Sequence, residues 1–455
     1  MHFKPPYPVP HKTKSSFLLR FFRGWHSWLD VLFEKSYSMK MGQFSQPGMT
    51  AYMVNDPDWV KKILVSNPKA YPKHQMMHRM LEPLLGHSIF TTNGEVWARQ
   101  RALVDQAFAQ ARLKLVFPLM VESVQDMLKR LDQVADGRSY EVDSEMTFIA
   151  ADIIFKTILS KSLDAHSANT IYEAFIEFQH HAQKAMMLMI YRLPPYFAIR
   201  ASRKPAQKIR TILAKIIAHR YEERSQGHDG HYQDILSGLM NAKDPVTGSQ
   251  FSYEEMVDQI CMLFLAGHET SASALAWSLY LLSQCPDLQL KIVDEIQHKV
   301  GDKEIGYSDV KQLQWVVDTF REALRLYPPV GFFVREATED HCMRDKDVKA
   351  GSPILVSPWL IHRHREMWDE PDLFEPERFQ TESGKASLKC AYIPFSKGPR
   401  VCIGAAFATQ EAVLTLANIV KRYKIQPVEN HRPEVIGRVT IRSHNGIRIR
   451  LERRD

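Results

Sequence analysis

The chain has 455 residues, of which 45% are apolar and 24% charged, and its formal net charge is +7. This composition is that of a globular protein whose core is large enough to need no disulfide or metal staples. Five widely spaced cysteines without a C-x-x-C pair favour a reducing compartment, and they argue against a zinc or iron–sulfur site held by several thiolates.

The modest positive charge fits an acidic protein partner or a membrane surface as well as it fits no charged partner at all. No basic-aromatic platform or recognition motif is present, so the sequence predicts no nucleic-acid partner. The N-terminal apolar runs are interrupted by arginine well short of the ~20 residues that a membrane span requires. There is no signal-peptide cleavage pattern, and we expect a soluble, cytoplasmic, monomeric protein without a transmembrane segment.

Residues 1–36 predict an N-terminal arm followed by an amphipathic helix. Four prolines before residue 11 favour an extended chain, and apolar residues between Phe17 and Phe33 fall on one broad helix face. We expect this helix to pack on the body of the protein, with contact to a membrane surface as the alternative. Residues 37–455 are predicted to form a single domain that begins with strands at about 38–44 and 50–54.

Helices dominate the next 170 residues. Asp56 and Pro57 have the pattern of a helix start, and a second helix begins at Gly94. Trp97 and Arg101 are four residues apart and therefore share a face of that helix. From about residue 113 to 224 the pattern is mostly helical, with a break at two consecutive prolines.

The longest predicted helix starts at a capping box formed by Ser252 and Glu255 and continues for ~32 residues, or ~48 Å. Because it is apolar on nearly every side, it should cross the middle of the protein. Its centre, residues 266–270, contains a glycine, which destabilises a helix by ~1 kcal/mol relative to alanine. It also contains an acid, whose burial without a partner would destabilise the fold by more. Thr270 is expected to bond the carbonyl four residues earlier and to bend the helix, so this segment is a candidate site.

The segments after this helix combine another helix with short strands. Glu322 and Arg325 lie three residues apart on a helix that ends before two prolines. A strand is predicted from Val330 to Val334, with Arg335 just beyond it. Phe332 and Phe333 should point to opposite faces, so that only one of them looks into a pocket.

Two later segments are predicted from local patterns alone. His362 and His364 on a short helix suggest a solvated basic face rather than a metal site. The Asn445-Gly446 pair predicts a hairpin between strands at about 438–441 and 447–451.

The stretch from Phe395 to Gly404 places Cys402 between two glycines, with Arg400 two residues before it and a helical pattern after it. A cysteine at the start of a helix is favoured as a thiolate. The glycines Gly398 and Gly404 allow a tight turn and the close approach of a flat ligand. Arg400 suits a carboxylate.

The spacing F-x-x-G-x-R-x-C-x-G of this stretch closely resembles the cytochrome P450 superfamily, and the chain looks like a soluble bacterial-type member. The resemblance implies a mainly α fold with a small β region, a triangular prism of helices. It also implies haem b, held between the long central helix and the cysteine helix, with the Cys402 thiolate as the iron ligand. The other cofactor-binding residues that it implies are Trp97, Arg101, Ala266, Gly267, Arg335, Phe395, Gly398, Arg400 and Gly404.

Residues 266–270 are similar to the family's distal motif A/G-G-x-D/E-T. The similarity implies that Glu269 and Thr270 supply protons when dioxygen is cleaved, and that Ala266 and Gly267 leave room for O₂. It further implies a structural salt-bridge triad of Glu322, Arg325 and Arg378. The implied substrate-pocket residues are Val330, Phe332, Phe333 and Thr440.

The function implied is a monooxygenase that inserts one oxygen atom from O₂ into a small hydrophobic substrate by hydroxylation or epoxidation. Electrons would come from a ferredoxin or flavodoxin with its reductase, docking near Arg99, Arg101, Lys397 and Arg400. Two alternatives remain open: a haem-thiolate isomerase or peroxygenase, and a non-enzymatic haem-binding sensor. The acid–alcohol pair favours the O₂-dependent enzyme.

Overall fold

The computed structural model describes residues 3–46, 48–161, 165–227 and 232–454. The helices are α1 (Phe17–His26), α2 (Pro57–Lys61), α3 (Gln75–Leu85), α4 (Gly94–Ala107), α5 (Gln110–Leu131), α6 (Val142–Leu159), α7 (Ala165–Ile190), α8 (Tyr196–Ser225), α9 (Ile235–Asn241), α10 (Tyr253–Ser283), α11 (Pro286–Lys299), α12 (Gln314–Leu326), α13 (Pro358–Ile361), α14 (Glu382–Ala391) and α15 (Ala405–Arg422). The strands are β1 (Met41–Gln46), β2 (Met49–Val54), β3 (Asp136–Glu141), β4 (Phe333–Glu336), β5 (His341–Met343), β6 (Lys346–Val348), β7 (Pro353–Val356), β8 (Tyr423–Pro427), β9 (Val435–Gly437), β10 (Ile441–Ser443) and β11 (Arg448–Arg453).

The central helix is α10, whose 31 residues pack against α3, α6, α8, α12 and α15. The predicted capping box is present at its start, since Ser252 Oγ accepts from the Glu255 amide and the Glu255 carboxylate accepts from the Ser252 amide. Its position in the middle of the helical body follows from its apolar surface, which only burial on all sides can shield from water.

The β structure is small and lies beside the helices. The strand order of one sheet is β1-β2-β7-β4, with β2 and β7 parallel and the other pairs antiparallel. A second sheet has the order β3-β11-β8, and the pairs β5–β6 and β9–β10 form separate ribbons. The predicted fold class, mainly α with a small β region, is confirmed.

The strand predicted from Val330 starts later than expected. The first strand residue is Phe333, and Arg335 lies inside β4 instead of beyond its end. The backbone before it is occupied by other contacts, because the Pro329 carbonyl accepts from the Ile441 amide and the Gly331 carbonyl accepts from Ser357 Oγ.

The C-terminal hairpin prediction is wrong. Strand β10 pairs with β9, which precedes it, and β11 pairs with β3 and β8 instead. The side chain of Asn445 accepts from the Glu434 amide and does not close a two-residue turn between β10 and β11. The pairing of β11 with β3 and β8 thus prevails over the local Asn-Gly turn pattern.

The prediction that His362 and His364 form a solvated face is also wrong, since both are fully buried. The His362 ring accepts a hydrogen bond from the Ile393 amide, 2.9 Å away, just before the cysteine stretch. Burial holds the pKa of His362 well below its usual value, which keeps this ring neutral and able to accept.

The N-terminal segment lies along the body of the protein. The Pro6 carbonyl accepts from the buried Tyr327 hydroxyl, and α1 packs against α7. Helix α1 ends at His26, earlier than predicted, and a 3₁₀ turn over Trp28–Val31 follows. The Trp28 ring fits where Gly331 and Gly437 have no side chain, because a Cβ at either glycine would collide with it.

Candidate active site

The backbone of the cysteine stretch is fixed from several sides. Gly398 has a φ of +73°, and a Cβ there would collide with the Leu64 carbonyl, so both its conformation and its packing require glycine. The Cys402 amide donates to the Phe395 carbonyl at 2.9 Å. The Arg101 guanidinium donates to the Val401 carbonyl at 2.7 Å and thereby ties α4 to the residue before the cysteine.

Cys402 as a whole residue is exposed, yet burial is the largest influence on the pKa of its thiol. Burial raises the pKa of the thiol, while the Gly404 amide and the Arg101 charge oppose that rise. The thiolate favoured by the helix-start argument therefore needs a bound metal, which deprotonates a coordinating thiol outright. A Cβ on Gly404 would lie 4.0 Å from the sulfur, an ordinary van der Waals distance, so packing at this position does not by itself require glycine.

One short face of α10 is only partly covered by the rest of the protein. Between residues 256 and 283 every residue is buried except Leu265, Ala266, Gly267 and Thr270, which are half-buried. The Thr270 hydroxyl donates to the Ala266 carbonyl at 2.7 Å, as predicted. Gly267 packs closely against α6, because a Cβ there would collide with the end of the Ile154 side chain. That Gly267 leaves room for O₂ stays a prediction.

Glu269 points away from Thr270 towards the β9–β10 ribbon. Its carboxylate accepts from Arg442 at 2.8 and 2.7 Å and from the Thr440 hydroxyl at 2.8 Å. Burial alone would raise the pKa of Glu269, but the charge and hydrogen bonds of Arg442 outweigh burial and bring the pKa down to about 2. Arg442 was not predicted, since no motif or spacing relates it to residue 269.

Cations without an acidic partner gather beside the cysteine stretch. Among the described residues, Lys73, Arg335 and Arg400 form no ion pair with a carboxylate; their hydrogen bonds go to backbone carbonyls and to the Asn93 side chain. Burial and the neighbouring arginines lower the pKa of Lys73 well below its usual value, and burial and Arg400 lower that of Arg335 to about 10. Several cations that lie near one another without a carboxylate predict that an anionic ligand binds there.

Trp97 and Arg101 share a face of α4, as predicted, but they make different contacts. The Arg400 guanidinium lies over the Trp97 ring at 4.2 Å, a cation–π contact that orients Arg400. Arg101 also pairs with Asp105 at 2.9 Å, so its polar atoms are used by the protein itself. Lys73 was missed by sequence reasoning because no recognisable motif surrounds it.

These residues fit haem b. Cys402 would supply the thiolate that binds the iron, the half-buried face of α10 would offer apolar contact to the ring, and the cations Lys73, Arg335 and Arg400 would hold its two propionates. The observation that carries this fit is the group of cations without acids, which is costly unless an anion binds there.

We expect the replacement Arg335→Leu to affect the haem-free and haem-bound protein in opposite ways. Loss of a charge-assisted hydrogen bond should raise the rate of haem loss about tenfold. The haem-free protein should become more stable, because a buried unpaired cation is removed. Haem transfer to an acceptor protein and urea unfolding measure the two effects. The exposed Arg138→Leu should change neither, and a less stable haem-free Arg335→Leu would contradict the argument.

Two of the residues predicted to line the substrate pocket, Phe332 and Phe333, pack against different hydrophobic cores. Phe332 packs against the main core and contacts the Trp28 ring edge-on at 5.1 Å, whereas Phe333 packs against the second core beneath the four-stranded sheet. This alternation agrees with the expected strand geometry. Val330 is half-buried before the strand, and Thr440 is engaged by Glu269.

The structure joins the three residues of the predicted triad. Arg325 donates to both carboxylate oxygens of Glu322 at 2.8 and 2.9 Å, and Arg378 donates to one of them at 2.9 Å. Arg325 also donates to the carbonyl of His362, whose ring holds the Ile393 amide. The triad is therefore connected to the cysteine stretch through His362.

The cations proposed for docking of an electron donor are largely used within the protein. Arg99 pairs with Glu255 at 2.7 Å, and the Lys397 ammonium donates to the Lys389 carbonyl. Arg101 and Arg400 make the contacts described above. These four residues consequently do not form a free basic surface, because their charges are oriented by neighbours.

A buried acid lies between α10 and α15. Ser271 Oγ donates to the Glu411 carboxyl at 2.7 Å, and the other carboxyl oxygen has no partner among the described residues. Burial raises the pKa of Glu411 from 4.5 to about 8, although the Ser271 hydrogen bond opposes the rise. The folded protein thus keeps a proton that the unfolded chain releases, and this contribution to stability is lost as pH rises towards 8.

We expect Glu411→Gln to flatten the pH dependence of stability. Relative to the variant, the free energy of unfolding of the unmodified protein should fall between pH 5 and 8 by up to about 1.4 kcal/mol per pH unit. Urea unfolding of both proteins across this range measures the difference. Glu382→Gln, at an exposed position, serves as control. Parallel pH profiles for Glu411→Gln and the unmodified protein would contradict the prediction.

Comparison with known proteins agrees with this geometry. The family model described as cytochrome P450 matches residues 6–445. The chain is 30% identical over 380 residues to cyclooctatin synthase of Streptomyces melanosporofaciens, covering 83% of this chain and 81% of that protein. It is 27% identical over 417 residues to human cytochrome P450 4V2, covering 87% and 79% of the two chains.

A solved structure, the haem domain of cytochrome P450DA, shares the fold with a TM-score of 0.83 at 23% identity, and 99% of each chain is covered. No described helix is both long and apolar enough to cross a membrane. The accessible cysteine, the cation group and the family match lead to one conclusion: the chain belongs to the cytochrome P450 family of haem-thiolate monooxygenases.

Proposed function

We propose that the protein hydroxylates or epoxidises a small hydrophobic molecule, using O₂ and electrons from a separate protein. The observation that carries this proposal is the half-buried face of α10, where apolar Leu265 and Ala266 lie beside the Thr270 hydroxyl on an otherwise buried helix. Phe332 would add an aromatic wall. When bound, haem supplies the oxidation itself, and the protein supplies binding, orientation and protons.

Thr270 is the residue that we propose to handle protons. Its hydroxyl is held by the Ala266 carbonyl, which fixes the oxygen towards the helix face and leaves its lone pairs for water or substrate. Glu269, with its pKa near 2 and its ion pair to Arg442, remains a carboxylate. Its proposed role is therefore modified: it anchors the β9–β10 ribbon and provides a fixed negative charge, and protons reach Thr270 through water.

For the electron donor we propose a ferredoxin or flavodoxin with its reductase, acting on a monomeric cytoplasmic protein. No nucleotide-binding glycine motif follows a strand in these 455 residues, which supports a separate donor protein. The alternatives, a haem-thiolate isomerase or peroxygenase and a haem-binding sensor, need no donor. The Thr270 hydroxyl on the half-buried face of α10 favours the O₂-dependent reaction over both.

The experiment that tests the function starts with a screen of hydrophobic ligands for a shift of the haem absorption band. Each hit is then incubated with O₂, a ferredoxin, its reductase and a nicotinamide reductant. We expect an oxygenated product that carries one atom from labelled O₂. Product with peroxide alone and none with the donor would support a peroxygenase, and ligand binding without any product would support a sensor.

We expect Thr270→Ala to uncouple electron consumption from product formation, lowering the product yield per electron pair at least about tenfold, in line with the loss of one positioned proton-transfer group. Reductant consumption and product are measured together. Ser278→Ala is a matched control, since Ser278 makes the same 2.7 Å bond to the carbonyl four residues earlier in α10 but is fully buried. Thr270→Ser should restore most of the coupling. Unchanged coupling in Thr270→Ala would contradict the role given to this hydroxyl.

A further inference from the structure

The 3₁₀ turn that follows α1 contributes an aromatic ring to the small β region. Trp28 begins this turn, and its indole contacts two chain segments that are distant in the sequence, residues 330–333 and residues 437–440. Each segment contains a residue that the family resemblance implies for the substrate pocket, Phe332 in the first and Thr440 in the second. No motif or spacing relates Trp28 to either segment, so only the structure reveals this contact.

Both segments make room for the indole with a glycine. A Cβ on Gly331 would lie 2.2 Å from Trp28 Cζ2, and a Cβ on Gly437 would lie 2.6 Å from Trp28 Nε1. These distances are well below van der Waals contact, so any other residue at either position would displace the ring or the segment. Two glycines in separate parts of the chain thus leave space for the same side chain.

Hydrogen bonds orient the ring and hold the turn against the second segment. Trp28 Nε1 donates to the Arg438 carbonyl at 3.2 Å, and the neighbouring Ser27 Oγ accepts from the Gly437 amide at 2.9 Å. A tryptophan bound through its ring nitrogen has a fixed ring plane, because rotation of the side chain would break this bond. The position of the indole is therefore set by packing and by hydrogen bonding together.

The apolar part of the indole meets a second aromatic ring. The rings of Trp28 and Phe332 are in edge-to-face contact, with 5.1 Å between their centroids. Both side chains are half-buried, so part of each ring is left uncovered by the protein. Two oriented aromatic rings with uncovered faces form a rigid apolar surface, which is the kind of lining that selects small hydrophobic ligands by shape.

We propose that Trp28 is a specificity-determining residue, which limits the size of the hydrophobic molecule that binds beside Phe332. This inference rests on the function proposed above, in which Phe332 is an aromatic wall of the substrate site. The indole extends that wall and keeps the segments 330–333 and 437–440 at a fixed separation. Removal of the ring leaves a space between them, because the backbone of a packed protein closes such spaces only in part. Bulky ligands then gain affinity relative to small ones.

The test uses the haem-loaded full chain and three ligands of increasing size that bind haem iron through a nitrogen: imidazole, phenylimidazole and tritylimidazole. The shift of the haem absorption band gives each dissociation constant. We expect Trp28→Ala to raise the affinity for tritylimidazole, relative to that for imidazole, at least about tenfold, and Trp28→Phe to raise it less. Trp25→Ala is the matched control, since Trp25 is exposed three positions earlier and its ring contacts Phe21. Its ratio of affinities should equal that of the unmodified protein.

A second measurement uses Gly331→Ala with and without Trp28. In the unmodified background the added methyl group collides with the indole, so the variant should unfold at a lower temperature. In the Trp28→Ala background the same methyl group enters the space that the ring has left. There Gly331→Ala should not lower the unfolding temperature, and it should reverse part of the gain in affinity for tritylimidazole.

Three outcomes would overturn the proposal. The first is an unchanged ratio of affinities in both Trp28→Ala and Trp28→Phe, and the second is an equal change for all three ligands, which would place the effect at the haem itself. The third is the same gain for tritylimidazole in Trp25→Ala. Failure of the proposed oxygenation would appear only in the experiment with labelled O₂, because imidazole binding requires haem but neither O₂ nor an electron donor.

Discussion

We expect the replacement Cys402→Ser to abolish the carbon-monoxide spectrum of a thiolate-bound haem and to abolish turnover. A serine hydroxyl holds its proton far more tightly than a thiol and is a hard, weak ligand, so it cannot replace the sulfur as a strong donor to iron. The fold should survive, because the surrounding turn depends on Gly398 and on the hydrogen bond between the Cys402 amide and the Phe395 carbonyl, not on the sulfur.

The matched control for this variant is Cys390→Ser. Cys390 is an exposed cysteine on α14, twelve positions earlier in the chain, and its loss should leave spectrum and turnover unchanged. Circular dichroism of both variants verifies folding. An unaltered carbon-monoxide spectrum in Cys402→Ser would refute the assignment of the iron ligand.

Replacing Glu322 by alanine has the largest expected effect on stability. The variant leaves two guanidinium groups, Arg325 and Arg378, buried without the carboxylate that both of them contact. Breaking a buried charge network in this way costs about 3–5 kcal/mol of folding free energy. Because Arg325 also holds the His362 carbonyl, the loss should spread to the cysteine stretch, and haem content should fall together with stability.

The measurements are urea unfolding and the ratio of haem to protein after purification. Glu377→Ala is the control, since Glu377 forms an exposed ion pair with Lys291 close to Arg378 in sequence. Exposed pairs contribute at most about 1 kcal/mol, so this variant should behave like the unmodified protein. Equal losses of unfolding free energy and haem content in the two variants would contradict the claim that burial makes the triad important for stability.

Several parts of the site could be predicted because their signals are local. The cysteine stretch places its glycines, arginine and cysteine within ten residues, and the capping box and apolar pattern of α10 specify a long central helix. The hydrogen bond from Thr270 to the Ala266 carbonyl follows from helix geometry alone. The triad could be proposed only through the resemblance to a family, because Arg378 lies more than fifty residues after Glu322 and no local rule joins them.

Sequence patterns thus predicted the helices that carry the candidate site, and the resemblance to a family implied Cys402 as the iron ligand. Tertiary structure alone decided which distant groups meet: Arg442 with Glu269, the group of cations around Lys73, and the burial of His362. It also paired β11 with β3 and β8 against the local hairpin signal. The physical reason is that helix starts and turns depend on neighbours in sequence, whereas charge compensation and strand pairing depend on which surfaces the packed helices bring together.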